Sequence, residues 1–292
     1  MKHERAACVC AILAVTMLAG GCGAKRTTDE DEKGEFTTLQ QETAAEQEET
    51  TGSLPEIRQE DLQTYSNTVV TWGPGIQMEE DGRPAACIAF QEKYASLGVD
   101  FLKENKKVIY LTFDEGYENG YTEKILDILK EKQVSAVFFV TMPYAREQTA
   151  LMNRFVQEGH VIGNHSVTHP SQGMPSLSIE DQMSEYQEMQ DFIKNTYQYD
   201  MYLFRPPAGI FSEQSLAAAA CFGYRTVLWS FAYADWDPDR QPSTEEALKK
   251  MEGRLHNGAI YLLHAVSATN TAVLGEFIDY AREQGYEFMK YE

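Results

Sequence analysis

The stretch Val108–Gly116, VIYLTFDEG, decides the fold. Val108–Phe113 is β-branched and apolar, and Asp114 and Gly116 close it. A continuous run of this kind reads as a strand covered on both faces, the habit of parallel sheets. The same signal recurs downstream. Thr122 can cap a helix over 123–132, where Ile125, Leu126, Ile128 and Leu129 share one face. Then follow a strand over 134–140, a helix over 145–158 and a short strand at 161–163. Ser178 caps a long polar helix reaching 197. Beyond it lie strand 201–205, helix 212–222, strand 225–231, helix 243–256, strand 259–263, helix 271–284 and a last strand over 286–289. This alternation predicts an α/β domain built on parallel strands, a barrel or an open sheet. Residues 62–107 are less periodic and are punctuated by Trp72-Gly73-Pro74-Gly75 and Gly82-Arg83-Pro84. They read as an extension packed on the main domain.

The chain has 292 residues, 43% of them hydrophobic, enough to bury a large core. That mix excludes a wholly disordered chain and a multi-span membrane protein. The net charge of −20 argues against nucleic acid, because phosphate binding needs clustered Lys and Arg. Half of that charge, −10, falls in residues 29–61.

Residues 1–22 carry the pattern of a lipoprotein signal. Lys2 and Arg5 precede the apolar run Ala6–Leu18, and Ala19-Gly20-Gly21-Cys22 follows. The run is too short for a membrane span of about 20 residues. Cys22 would carry the lipid, placing the protein outside the cytoplasm on a membrane; plain secretion is the alternative. Residues 23–61, rich in Thr, Glu and Gln, read as a disordered acidic linker that cannot offset its chain entropy. Of five cysteines, Cys8 and Cys10 lie in the leader and Cys22 ends it. Cys87 and Cys221 either pair or stay as two buried thiols.

The polar residues fall at strand ends. Thr112-Phe113-Asp114-Glu115-Gly116 ends one strand, and Asn164-His165-Ser166-Val167-Thr168-His169-Pro170 follows another. Arg205-Pro206-Pro207-Ala208-Gly209, Ala234-Asp235-Trp236 and Leu262-Leu263-His264 close three more. Sites of parallel α/β proteins lie at the carboxyl ends of strands. Each element has a bland reading: a turn, a chance histidine pair, a surface ion pair, a core histidine. Five in one layer read as a catalytic set. HSVTH lacks the glutamate of H-E-x-x-H, and Pro170 disfavours helix before it, so a helical zinc protease is excluded.

These strings, TFDEG, HSVTHP, RPPAG, YADW and LLH, resemble the ordered motifs of the NodB-type polysaccharide deacetylases, carbohydrate esterase family 4. The resemblance covers Lys106–Glu292. Gly116–Tyr121, Gly163-Asn164-His165, Ser230–Trp236 and Leu263–Ser267 resemble most the peptidoglycan N-acetylmuramic acid deacetylases, which form muramic δ-lactam in the spore cortex. The family implies a distorted, incomplete (β/α) barrel over 106–292 that removes acetyl groups from N-acetylated sugars. It implies a divalent metal, usually zinc, on His165, His169 and Glu115. Glu115 replaces the usual aspartate and is one methylene longer. It implies Asp114 as general base, His264 as general acid, Arg205 holding Asp114, and Asp235 orienting His264. The Ala208 N–H would bind the oxyanion and Trp236 would line the groove.

Amide hydrolysis needs an activated water, a stabilised tetrahedral oxygen and a proton for the leaving amine. A base and an acid each contribute roughly 10²–10⁴-fold. The leading expectation is a membrane-tethered deacetylase of muramic residues in peptidoglycan glycan strands. The same chemistry on N-acetylglucosamine or chitooligosaccharides is one alternative, and a silent wall-binding pseudoenzyme is another.

Overall fold

The computed structural model describes residues 53–292. The signal at 1–22 with Cys22, and the linker from 23 to 52, lie outside the described residues. A lead-in holds the 3-10 turn Gln59–Thr64, β1 (Val70–Thr71), α1 (Ala85–Tyr94) and β2 (Val99–Asp100). The main alternation follows: β3 (Val108–Glu115), α2 (Thr122–Lys132), β4 (Ala136–Val140), α3 (Met142–Glu147), α4 (Thr149–Gln157), β5 (Val161–Asn164) and α5 (Ile179–Tyr197). It continues with β6 (Leu203–Phe204), β7 (Ile210–Phe211), α6 (Glu213–Phe222), β8 (Arg225–Val227), α7 (Thr244–Glu252), β9 (Ala259–His264), α8 (Ala268–Glu283) and β10 (Glu287–Phe288).

Every residue of β3 is buried except the half-buried Asp114, so the strand shows no alternation. The main sheet runs β10-β3-β4-β5-β6-β8-β2, and β9 pairs with the other edge of β3. All these pairings are parallel. The ring closes just past β8. The Ser230 N–H donates to the Ile260 carbonyl at 2.9 Å, and the Leu262 N–H donates to the Phe231 carbonyl at 2.9 Å. The chain thus forms the expected distorted, incomplete (β/α) barrel. The strand expected over 225–231 stops at Val227, and only Ser230 and Phe231 rejoin the ring.

Helix starts follow their caps. Ser178, Ser212, Ser243 and Ser267 each accept a backbone N–H from the first turn of the next helix. Ser267 therefore starts α8 three residues before the expected 271. At α2 the N-cap position is Tyr121, not Thr122, and Glu118 holds the turn that leads into it. Its carboxylate accepts the Gly120 and Tyr121 N–H groups at 2.6 and 3.1 Å and the Thr122 hydroxyl at 2.5 Å. The helix expected over 145–158 is split by Gln148, whose ψ of 46° is non-helical.

The lead-in packs on the barrel. β1 pairs antiparallel with β7, and the Trp72 indole donates to the Trp229 carbonyl at 2.9 Å. Trp72, Phe90, Tyr94, Phe101 and Phe211 form one aromatic cluster. The described part of the expected linker, 53–61, touches the domain: Ile57 packs on the core and Leu54 lies against Gly98, next to the fully buried Leu62. Cys87 and Cys221 are both free thiols, and burial pushes Cys87 up to about 12.

Candidate active site

Thr112 and Asp114 sit two apart on β3, so both side chains leave the same face. Arg205, directly after β6, reaches both. Its Nη1 donates to Thr112 Oγ1 and Asp114 Oδ1, each at 2.8 Å. Its Nε donates to the Val227 carbonyl at 2.9 Å and its Nη2 to that of Leu228 at 3.2 Å. The guanidinium is fully buried and lies 4.1 Å over the Phe139 ring. A buried cation is tolerable here because its donors are met by a carboxylate and carbonyls. Burial pushes the Asp114 carboxyl up, but Arg205, His165 and His264 outweigh it and hold it below its ordinary value.

The residue opposite Asp114 on the neighbouring strand β9 is His264. Cross-strand partners project from the same face, so this register places both in one site. Asp235 is fully buried beneath the imidazole. Its Oδ1 lies 2.7 Å from His264 Nδ1, and its Oδ2 accepts the His264 backbone N–H at 2.9 Å. The carboxylate fixes the proton on Nδ1 and turns Nε2 away from Asp235. Burial pushes His264 down, but Asp235 and Asp114 together outweigh it, and the net shift is upward.

His165 lies just past β5. Its Nδ1 is 2.9 Å from the Arg205 carbonyl, which accepts the ring proton, and its Nε2 is 3.6 Å from Asp114 Oδ2. Burial pushes this imidazole down to about 4, so it is neutral. His169 is exposed, with its ring centroid 4.9 Å from that of His165. Ser166 and His169 adopt φ of +73° and +48°, left-handed backbone that costs about 1–3 kcal/mol per residue. The loop is held in place by side chains. Asn164 Oδ1 accepts the Ser166 N–H at 2.7 Å, and Ser166 Oγ accepts the His169 N–H at 2.9 Å. Glu185 on α5 accepts the Val167 N–H at 2.6 Å, the Thr168 N–H at 3.0 Å and the Thr168 hydroxyl at 2.6 Å. Sequence reasoning missed Glu185, because nothing around it in a polar helix marks it.

Glu115 does not join the histidines. It follows Asp114 on β3 and so leaves the opposite face of the strand. Both its carboxyl oxygens are buried without a hydrogen-bond partner. Burial pushes this carboxyl well above its ordinary value, and the charges of Glu118 and Asp114 push it the same way. Among the described residues no three His, Cys, Asp or Glu side chains gather about one point that could hold a metal. His165 and His169 stand with ring centroids 4.9 Å apart, and Glu115 is not gathered with them as a third ligand. Successive residues of a strand point to opposite faces, so Glu115 parts from Asp114.

The remaining expected residues ring the strand ends. Ala208 is exposed with φ of +53°. Gly209 beside it has φ of +65°, and a Cβ there would sit 2.6 Å from the Trp229 ring. Trp236 is 57% exposed, its ring centroid 6.2 Å from that of His264. Tyr117, 51% exposed and three residues past Asp114, is a second open aromatic; it lies in the Gly116–Tyr121 string, which gave it no role of its own.

Comparison with known proteins agrees with this arrangement. The polysaccharide deacetylase family matches residues 102–227. The chain is 43% identical over 198 residues to the peptidoglycan-N-acetylmuramic acid deacetylase PdaA of Bacillus subtilis, covering 68% of this chain and 74% of that one. It is 42% identical over 226 residues to an uncharacterized 30.6 kDa protein of Geobacillus stearothermophilus, covering 76% and 84%. The solved structure of Bacillus subtilis PdaA, a family 4 carbohydrate esterase, superposes with a TM-score of 0.72 at 36% identity, over 77% of this chain and 96% of that one. A buried Arg–Asp pair in register with an Asp–His pair, on a barrel shared with these relatives, means that the chain belongs to the polysaccharide deacetylase family, the family 4 carbohydrate esterases, and is a hydrolase of N-acetyl amide bonds.

Proposed function

We propose that the protein removes the acetyl group from N-acetylmuramic acid residues of peptidoglycan, releasing acetate and leaving a free amine. The likeness to PdaA supports the substrate. One observation carries the chemistry: Asp114 and His264 are register partners on adjacent strands, one held as carboxylate by Arg205, the other raised toward imidazolium by Asp235.

In this reading Asp114 Oδ2 accepts a proton from water as the oxygen attacks the acetyl carbon. Oδ1 stays on Arg205, so the base keeps one orientation. The Ala208 N–H donates to the carbonyl oxygen as it gains charge; such a donor is worth two to three powers of ten, roughly. As the C–N bond breaks, His264 delivers its Nε2 proton to the leaving nitrogen, and Asp235 stabilises the imidazolium until then. Trp236 and Tyr117 give the sugar rings apolar faces beside the reacting bond. The leader and linker would hold the catalytic domain off a membrane through Cys22, and a free muramic amine beside a lactyl carboxyl suits δ-lactam formation in a spore cortex.

The test uses peptidoglycan trimmed of its stem peptides, followed by acetate release and muropeptide mass, with D114N as control. Loss of acetyl from muramic residues, absent in D114N, supports the reading. Release only from chitooligosaccharides moves the substrate to N-acetylglucosamine. Glycan binding without acetate from either would make the protein a wall-binding pseudoenzyme.

A further inference from the structure

We infer that Asn270 and Tyr233 are positioning residues for the proton donor, clamping Asp235 in the one rotamer that engages His264 Nδ1. Asn270 lies outside the motif strings, Tyr233 opens YADW with no role assigned to it there, and the inference rests on the reading of His264 as general acid.

Asn270 is buried in the first turn of α8. Its Nδ2 donates to Asp235 Oδ2 at 2.6 Å and to the His264 carbonyl at 3.2 Å. Its Oδ1 accepts the Tyr233 hydroxyl. A carboxylate only accepts, so the amide nitrogen must face Asp235 and the amide oxygen must face the tyrosine. Tyr233, donating to the amide oxygen, reinforces that orientation; the amide then pins the carboxylate, and the carboxylate sets the imidazole tautomer. The backbone of Asn270 is anchored as well, its N–H donating to Ser267 Oγ at 2.9 Å. From the other side, Gln241 Nε2 donates to the Asp235 and Asp237 carbonyls at 2.8 and 2.7 Å, and the Ser267 hydroxyl donates to Gln241 Oε1.

With Oδ2 held by Asn270 and the His264 N–H, Oδ1 has one direction in which to point. Without Asn270 the fully buried carboxylate loses its only side-chain donor other than His264 among the described residues and can pivot on χ2. The charged groups acting on His264 are then Asp235, Asp114 and Arg205. Loss of Asp235 alignment removes the largest upward contribution and leaves burial pushing the imidazole down.

The test reads His264 directly, by NMR of histidine-labelled full-length protein without substrate, in N270A, N270L and Y233F. In N270A and N270L, His264 is expected to titrate at lower pH than in the native protein and to show more of the Nε2–H tautomer. Deacetylation kcat should fall roughly tenfold with KM held, the mark of an interaction used in the transition state. Y233F, which removes one hydroxyl and keeps the ring, should shift both readouts in the same direction by less. An unchanged His264 titration and tautomer in folded Y233F and N270L overturns the inference, whatever happens to activity. A shifted titration in a protein that releases no acetate from any glycan would keep the clamp and overturn the deacetylase reading instead.

Discussion

Arg205 Nη1 lies 2.8 Å from Asp114 Oδ1, and the same nitrogen lies 2.8 Å from Thr112 Oγ1. One buried donor thus spans two residues of one strand face and ties β6 to β3. R205K keeps the charge but loses the planar fork, so Asp114 is no longer held at one oxygen. Acetate release by R205K should fall about 10²-fold. R205M leaves Asp114 buried and unpaired, and urea unfolding should show a loss of about 3–5 kcal/mol.

The pH profile follows from the two shifted groups. Asp114 lies below its ordinary 3.8, so it stays a carboxylate until the medium is acid, and the low-pH limb of kcat/KM falls below that value. His264 lies above its ordinary 6.5, so the proton donor persists into neutral pH and the high-pH limb falls above it. D235N removes the main upward influence on His264. Its high-pH limb should move to lower pH, and activity at pH 7 should drop about 10²-fold or more. The stability that His264 gains from Asp235 is full below 6.5 and is lost as pH rises through the folded-state value.

Glu115 should destabilise the fold at neutral pH. Its folded-state pKa is raised above the ordinary 4.5, so unfolding lets it ionise, and stability falls as pH rises beyond that value. E115Q should be more stable than the native protein at pH 8 by about 1–3 kcal/mol, with the gap closing toward pH 5. Urea midpoints at the two values check this. Metal content by mass spectrometry should be the same in E115Q and native protein; a loss confined to E115Q would restore Glu115 as a ligand.

Glu185 holds the His165–His169 loop from α5. E185A removes the acceptor for two backbone N–H groups and a hydroxyl, and the fold should lose about 1–3 kcal/mol. Hydrogen exchange at Val167 and Thr168 should accelerate before the rest of the protein loosens. Deacetylation should fall with it, because His169 keeps a left-handed backbone only while the loop is held.

Trp236 and Tyr117 should act in binding, not in chemistry. W236A is expected to raise KM about tenfold with little change in kcat, the pattern of binding shared by ground and transition states. Y117A should do the same more weakly, and the double variant tests whether both faces grip one glycan strand.

Much of this was legible before any coordinates. The apolar run of β3, the serine cap at Ser178, and the strand-end placement of Asp114, His165, Arg205, Asp235 and His264 depend on local signals, where each residue type has a short-range reason to be where it is. Less legible was Glu115. Its neighbour Asp114 and the family motif argued for shared duty, whereas strand alternation sends the two apart. Glu185 and Asn270 carried no local mark, since a glutamate in a polar helix and an asparagine in a helix's first turn are ordinary in sequence.

The amino-acid sequence alone determined the parallel α/β class, the order of its elements and the chemical types waiting at the strand ends, because periodicity and capping act over a few residues. Tertiary structure alone decided which of those types meet. The β3–β9 register sets Asp114 beside His264, the bridge at Ser230 and Phe231 links the segment after β8 to β9, and the packing of α5 and α8 brings Glu185 and Asn270 to the site. Such contacts join residues 18 to 150 apart in the chain, and only the balance of burial and hydrogen bonding over the whole core selects them.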